Sequence, residues 1–473
     1  MLLAALLIAV LPSNDKSKAD PEITRADIER TIAFLASDEL EGRATGSPGA
    51  EKAGKFLADA LSKAGVKPGG DDGTFLQKMP MTRTTFREVP RLSVWTADGK
   101  ERECVAGVDF DWMGGAPSTK RLRARVVTKD EEMLGFKDDE VALFLDGTMT
   151  DRRRWLNPTG GVGFGLVIAP GNEKPGTKVV DQPPREERRS GKPEEQPAGQ
   201  LRVHGEVLKL LRAGEIKAVR VHCSVERVEV PAFNVVGVLR GVGTKEIPAL
   251  ADEAIVFSAH YDHIGMASEA RAVAGDRVFN GADDDASGCA AVVELAEALA
   301  AAEKPVRTLV FLLATGEEIG LVGTEWYIAH PLVPLEKTVC NLNYEMIGRP
   351  DSMVGGAGKL WLTGDERSNL GEEFRALGVP VVADPRLGQR FFERSDNYAF
   401  ARRGVVAQTL STYEPEVHKD YHGVDDELEK LDLDHMAQAV RASLPAVNAL
   451  ASGKLTPEWK PGGDPSKPQP GKR

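Results

Sequence analysis

From residue 233 onward the chain alternates short, nearly uninterrupted apolar runs with helical stretches. The order is NVVGVLRG, AIVFSAH, a helix over 287–304, TLVFLLA, a helix over 323–330, TVCNLNYEMIG, a helix over 367–377, VVAQTLSTY and a last helix over 433–450. A strand without polar alternation is buried on both faces, the condition of a parallel sheet covered by helices. The alternation therefore predicts an α/β fold, doubly wound, with a mostly parallel sheet and helices on both faces.

The chemistry-bearing residues fall where these runs end. His260 and Asp262 follow AIVFSAH, Glu317 and Glu318 follow TLVFLLA, and Glu345 closes another run. Asp283, Asp284 and Asp285 stand just before the 287–304 helix, and Tyr421 and His422 follow the run ending near Tyr413. In an open α/β sheet ligands bind beyond the carboxyl ends of the strands, so these groups gather on one edge. Two imidazoles among several carboxylates are a composition for zinc. Bare acids so crowded would repel one another and raise their own pKa values. Two divalent ions bridged by one carboxylate would neutralise them and leave one acid free to act as general base. Adjacent residues leaving a strand point opposite ways, so Glu317 and Glu318 can divide metal binding and proton transfer between them.

SAHYDHIG, NGADDDASG, TGEEIGLVGTEWY, NYEMIGR, RSDNYAF and YHGVDDELEKLD resemble, in order and spacing, the M28 family of di-zinc peptidases, and LASDELEGRATGSPGAEKAGKFLADAL is similar to that family's opening. The resemblance covers about 24–90 and 233–450. It implies two Zn²⁺ per chain, one on His260 and Glu345, the other on Glu318 and His422, with Asp284 bridging and the peptide after it cis. It further implies Glu317 as general base, Asp262 as the acid holding the His260 imidazole, and Tyr421 placed to polarise the scissile carbonyl. The chain departs from the family pattern at Glu345 (commonly Asp), Asp285 (commonly Asn) and Asn397 (commonly His). The implied activity is an aminopeptidase acting on peptides. A carboxypeptidase or amidohydrolase on the same metals is the alternative, with Arg390, Arg394, Arg402 and Arg403 as candidates for a substrate carboxylate. A non-catalytic peptide-binding protein is the alternative from another class, disfavoured by retention of both glutamates.

Outside the motifs, His263, His330, His418 and His435 are read as surface or supporting residues without a metal role, and His204 and His222 as structural. Residues 24–90 carry two helices and belong with the catalytic part, 233–452. Residues 91–232 read as an inserted β-rich module, similar in placement to a protease-associated (PA) domain. Residues 453–473, rich in Pro, Gly and charge, read as a disordered tail. Residues 1–23 hold MLLAALLIAVLP, too short to span a bilayer and suited to a secretory signal, so the chain is expected to be exported with no membrane span in its mature form. A net charge of -12 argues against nucleic acid as a partner. Four cysteines without CxxC spacing offer no metal-thiolate site, and oligomeric state is not legible.

Overall fold

The computed structural model describes residues 22–114, 119–128, 139–145, 166–176, 188–190, 199–267 and 272–467. MLLAALLIAVLP lies outside them, as does most of the polar segment 172–200. Among the described residues, no helix is long and apolar enough to cross a membrane.

The apolar runs form one nine-stranded sheet. Its centre, in spatial order, is Thr308–Ala314, Ala254–His260, Thr338–Tyr344 and Val406–Ser411, all parallel. Phe233–Leu239 lies antiparallel beside Thr308–Ala314, and Leu360–Leu362 lies antiparallel beside Val406–Ser411, so the sheet is parallel at its centre and mixed toward its edges. Ala254–His260 comes first among the parallel strands in the chain, yet its sequence successors lie on opposite sides of it. This is the topological switch point at which such sheets open a crevice.

Burial explains the unpatterned strands. Ile255, Phe257, Ala259, Leu309, Phe311 and Leu342 pack with helices Arg25–Leu35, Pro48–Lys63, Gly288–Ala301 and Leu433–Ala451. Their neighbours Val256, Val310 and Leu312 face Tyr327, Ile328 and Phe400, from helices Val322–Ala329 and Asn397–Ala401. Thr24 and Ser47 cap the two N-terminal helices, each side chain accepting from the backbone N–H three residues on, and Pro48 takes the first position of the second helix.

A second sheet of eight strands is drawn from Arg91–Thr96 through Ile216–His222 and has its own core, in which Leu143, Ile168, Leu201 and Val219 pack with Val207 and Leu211 of the helix Gly205–Arg212. Thr82–Phe86 and Val225–Glu229 pair antiparallel, so the chain's two passages between the sheets run side by side. His204 is tied within the second sheet's surroundings, its Nδ1 accepting from the Asn172 N–H at 2.8 Å and its Nε2 lying 2.9 Å from Asp111. Cys104 and Cys223, like Cys289 and Cys340, are free thiols.

The expected tail needs correction. Through residue 467 it packs: Leu455 is buried, Trp459 lies against Phe392 and donates from Nε1 to the Gly404 carbonyl, and the Lys460 N–H donates to the Arg367 carbonyl. A polar, proline-rich segment needs only one or two apolar anchors and partners for its backbone to dock, and composition averages those anchors away.

Candidate active site and metal centre

Each expected residue leaves the carboxyl edge of the central sheet, and the segments carrying them are cross-tied. Asp285 does this for two. Its carboxylate accepts from the His260 N–H at 3.2 Å and from the Met346 and Gly288 N–H groups at 3.1 Å, pinning the ends of two strands to the start of a helix. A side chain is not accommodated at Gly288, where a Cβ would lie 2.3 Å from the Tyr344 carbonyl oxygen. Asp283 accepts from the Gly348 N–H at 2.8 Å and binds Arg349, whose guanidinium makes a two-pronged contact with Asp420 at 2.8 and 3.0 Å. Arg349 thus joins the acidic turn to the loop of Tyr421 and His422. Asp426 accepts from the N–H groups of Asp283 and Asp284, and the peptide between Asp284 and Asp285 is cis.

The N-terminal loop contributes what its glycine-rich reading concealed. Arg43 is fully buried and donates to the carbonyls of Leu35, Tyr261, Asn280 and Gly281. Thr45 donates to Asp262 at 2.7 Å. Asp262 in turn accepts from the Glu317 N–H at 3.2 Å, while its carboxylate stands 3.8 Å from His260 Nδ1. The ring of His260 is instead oriented by the Asp262 carbonyl oxygen, 3.1 Å from Nδ1. Asn397 is a packing residue, donating to the Phe392 carbonyl and accepting from Thr409.

The donor atoms converge. His260 Nε2 lies 3.2 Å from Asp284 Oδ1, and His422 Nε2 lies 3.2 Å from Asp284 Oδ2 and 3.1 Å from Glu318 Oε2. Glu345 stands within the same electrostatic field, burial and then its acidic neighbours outweighing His260 to push it up to about 8. His263, given no role from sequence, is wholly buried with Nδ1 2.8 Å from Glu318 Oε1. His260 Nε2, His422 Nε2, both ring nitrogens of His263 and Glu318 Oε1 are buried without a hydrogen bond of proper geometry. Each such group costs about 1–3 kcal/mol if left so. Imidazole nitrogens and carboxylate oxygens facing one another in contact but unaligned for hydrogen bonding fit a cation between them. The residues present therefore fit zinc.

Glu317 and Glu318 part company here. Glu318 turns to the histidines, which hold its pKa low against burial and the nearby Asp284. Glu317 lines a cleft of about 490 Å³ with Asp284 and Glu345, and burial, joined by Glu318, Glu345 and Asp396 against the pull of His260, pushes it well above the carboxylate range. Met346, Trp361, Phe391, Tyr413 and Tyr421 form the cleft's apolar wall, and Tyr421 stacks on His422 with ring centres 4.0 Å apart. Of the four arginines considered from sequence, only Arg394 lines the cleft, over the rings of Phe391 and Tyr421. Arg390 pairs with Glu393, and Arg402 and Arg403 pair with Glu325.

Residues 234–447 match the family described as Peptidase family M28. Leucine aminopeptidase 1 of Trichophyton rubrum is 26% identical over 219 residues, which are 43% of this chain and 56% of the relative. The vacuolar membrane protease of Clavispora lusitaniae is 24% identical over 203 residues, 42% of this chain and 18% of that protein. The chain thus spans about half the length of the former and less than a fifth of the latter. Among solved structures, the aminopeptidase from Aneurinibacillus sp. strain AM-1 superposes with a TM-score of 0.57 at 20% identity, covering 92% of this chain and 96% of the other. A zinc aminopeptidase from Bacillus subtilis does so with a TM-score of 0.50 at 17% identity, covering 91% and 95%. At these identities the likeness speaks to the fold.

Proposed function

We propose that the chain, whose residues 234–447 match peptidase family M28, is a zinc-dependent aminopeptidase of that family with residues 91–232 as an inserted, PA-like module. In this reading His260, Asp284 and Glu345 hold one zinc, and Asp284, Glu318 and His422 a second. When bound, the metals supply Lewis-acid polarisation of the scissile carbonyl and acidify water. Glu317 takes the proton from the attacking water at its carboxylate and returns it to the leaving amine. Asp262 fixes the Glu317 backbone and, through its carbonyl, the ring of His260. Asp285 and Arg349 hold the ligand-bearing segments in register, and Tyr421 is placed to meet the carbonyl from the cleft wall. The observation that carries the reading is the division of the adjacent glutamates, Glu318 toward the histidines and Glu317 toward the cleft.

A free N-terminus is favoured by the likeness to leucine aminopeptidases, and the apolar wall of the cleft suits the side chain beside it. Arg394 at the exposed edge supports the second reading, in which a substrate carboxylate is recognised and the enzyme is a carboxypeptidase. The deciding experiment is hydrolysis of a peptide panel by zinc-loaded protein, each peptide with a free and an acetylated N-terminus. Release of the first residue only from free N-termini is expected. Cleavage indifferent to acetylation and abolished by C-terminal amidation would replace the aminopeptidase with the carboxypeptidase. The reading also places the protein outside the cytoplasm, with MLLAALLIAVLP as its export signal; N-terminal sequencing of secreted material beginning beyond that run is the expected result.

A further inference from the structure

His263 has the surroundings of a ligand rather than of a packing residue. Its backbone is fixed by donation to the Arg43 carbonyl, and Gly281 closes on its ring so tightly that a Cβ there would lie 2.7 Å from it. The side chain is sealed from solvent, yet neither nitrogen has a hydrogen bond. Nδ1 faces Glu318 Oε1 at 2.8 Å and Asp284 Oδ2 at 3.8 Å, and its ring stands edge-on to His422 with centres 5.6 Å apart. One donor atom each from His263, Asp284, Glu318 and His422 lies within 4.8 Å of the others. Zinc bonds of about 2.0–2.2 Å in a tetrahedron set donors roughly 3.3–3.6 Å apart, and the contacts among these four, from 2.8 to 3.8 Å, bracket that spacing.

We propose that His263 is a fourth protein ligand at the metal position of Asp284, Glu318 and His422, which closes that position, while the position of His260, Asp284 and Glu345 keeps an open place. The proposal rests on the two-metal reading above and deepens it. Four protein donors characterise structural zinc sites, and three with a free position characterise catalytic ones. The cleft favours this asymmetry through Glu345. Glu345 and Glu317 line it beside the shared Asp284, whereas His263, Glu318 and His422, like His260, do not. Substrate therefore approaches the open position, and the His263 position anchors the bridge.

The test is metal binding rather than turnover. Wild-type protein loaded with Zn²⁺ is dialysed against chelators of rising strength, bound metal is counted, and the form retaining one zinc is examined by X-ray absorption for its number of imidazole ligands. The Co²⁺-substituted form gives a parallel absorption spectrum. The wild type is expected to lose its metals in two separate steps and to keep two imidazoles on the last zinc. His263→Gln, whose amide can still donate to Glu318, is expected to lose the tighter step by at least 100-fold and to show one imidazole. Circular dichroism of the metal-free proteins should be superimposable. If His263→Gln keeps wild-type affinity, His263 merely positions Glu318 and the proposal is overturned. If that variant fails to fold, the wild type alone decides: a single imidazole on the last zinc overturns the proposal. A wild type that binds only one zinc, or none, would instead overturn the two-metal reading on which it stands.

Discussion

Glu317 and Glu318 are one peptide bond apart and meet opposite environments, the first a cleft of acids and the second a pair of imidazoles. Glu318→Ala is accordingly expected to lower zinc content, measured per chain after dialysis, whereas changes at Glu317 leave it intact. A different acid tests how burial alone acts. Glu294 is 3% exposed, has an unpartnered oxygen, and burial, with Asp27 and Glu297 nearby, pushes it from 4.5 up to about 8. Because the folded state holds this proton more tightly, its contribution to stability is intact below about pH 4.5 and is lost as pH rises through about 8. Glu294→Gln should therefore be more stable than wild type at pH 9, by on the order of 5 kcal/mol in chemical denaturation, and match it at pH 4. That histidines and carboxylates, the glutamate pair among them, gather at one sheet edge was legible in the sequence, since strand ends and residue chemistry suffice for it. His263 was not, because a histidine three residues beyond the strand Ala254–His260 carries no directional signal. Only the fold shows it turned inward onto Glu318.

At the scale of elements, the site is several strand ends held in register by buried charge. Arg349 is the main strut, reaching Asp283 on one side and Asp420 on the other. Arg349→Met removes the cation facing buried Asp283 and leaves Asp420 only its longer contact with Lys430 at 3.5 Å, so a loss of about 3 kcal/mol in chemical denaturation is expected. Zinc affinity should fall by roughly 10–100-fold, as for other groups that orient ligands. Asp285 shows why such struts escape a sequence reading. In DDDASG its neighbour Asp284 faces the histidines while Asp285 collects backbone N–H groups from three segments, a division set by a turn whose geometry the three identical letters do not encode. The strands themselves were predictable because unbroken apolar runs have few alternatives once helices alternate with them.

At the scale of the molecule, one sheet edge gathers the chemistry while separate segments buttress it, and the carboxyl-terminal stretch is one of these. Arg307 donates to the Leu455 carbonyl and to Thr456, and Trp459 packs on Phe392, behind the central sheet. Trp459→Ala is expected to cost about 2 kcal/mol of stability, the share of a half-buried tryptophan; a truly detached tail would show no change in melting temperature. In the proposed mechanism Glu317 moves the proton and is not a ligand. The most direct measurement is turnover of a peptide with a free N-terminus by Glu317→Gln, alongside its zinc content. A fall in kcat of about 10²–10⁴ with zinc unchanged is predicted. Activity within about tenfold of wild type, or loss of zinc together with activity, would contradict it.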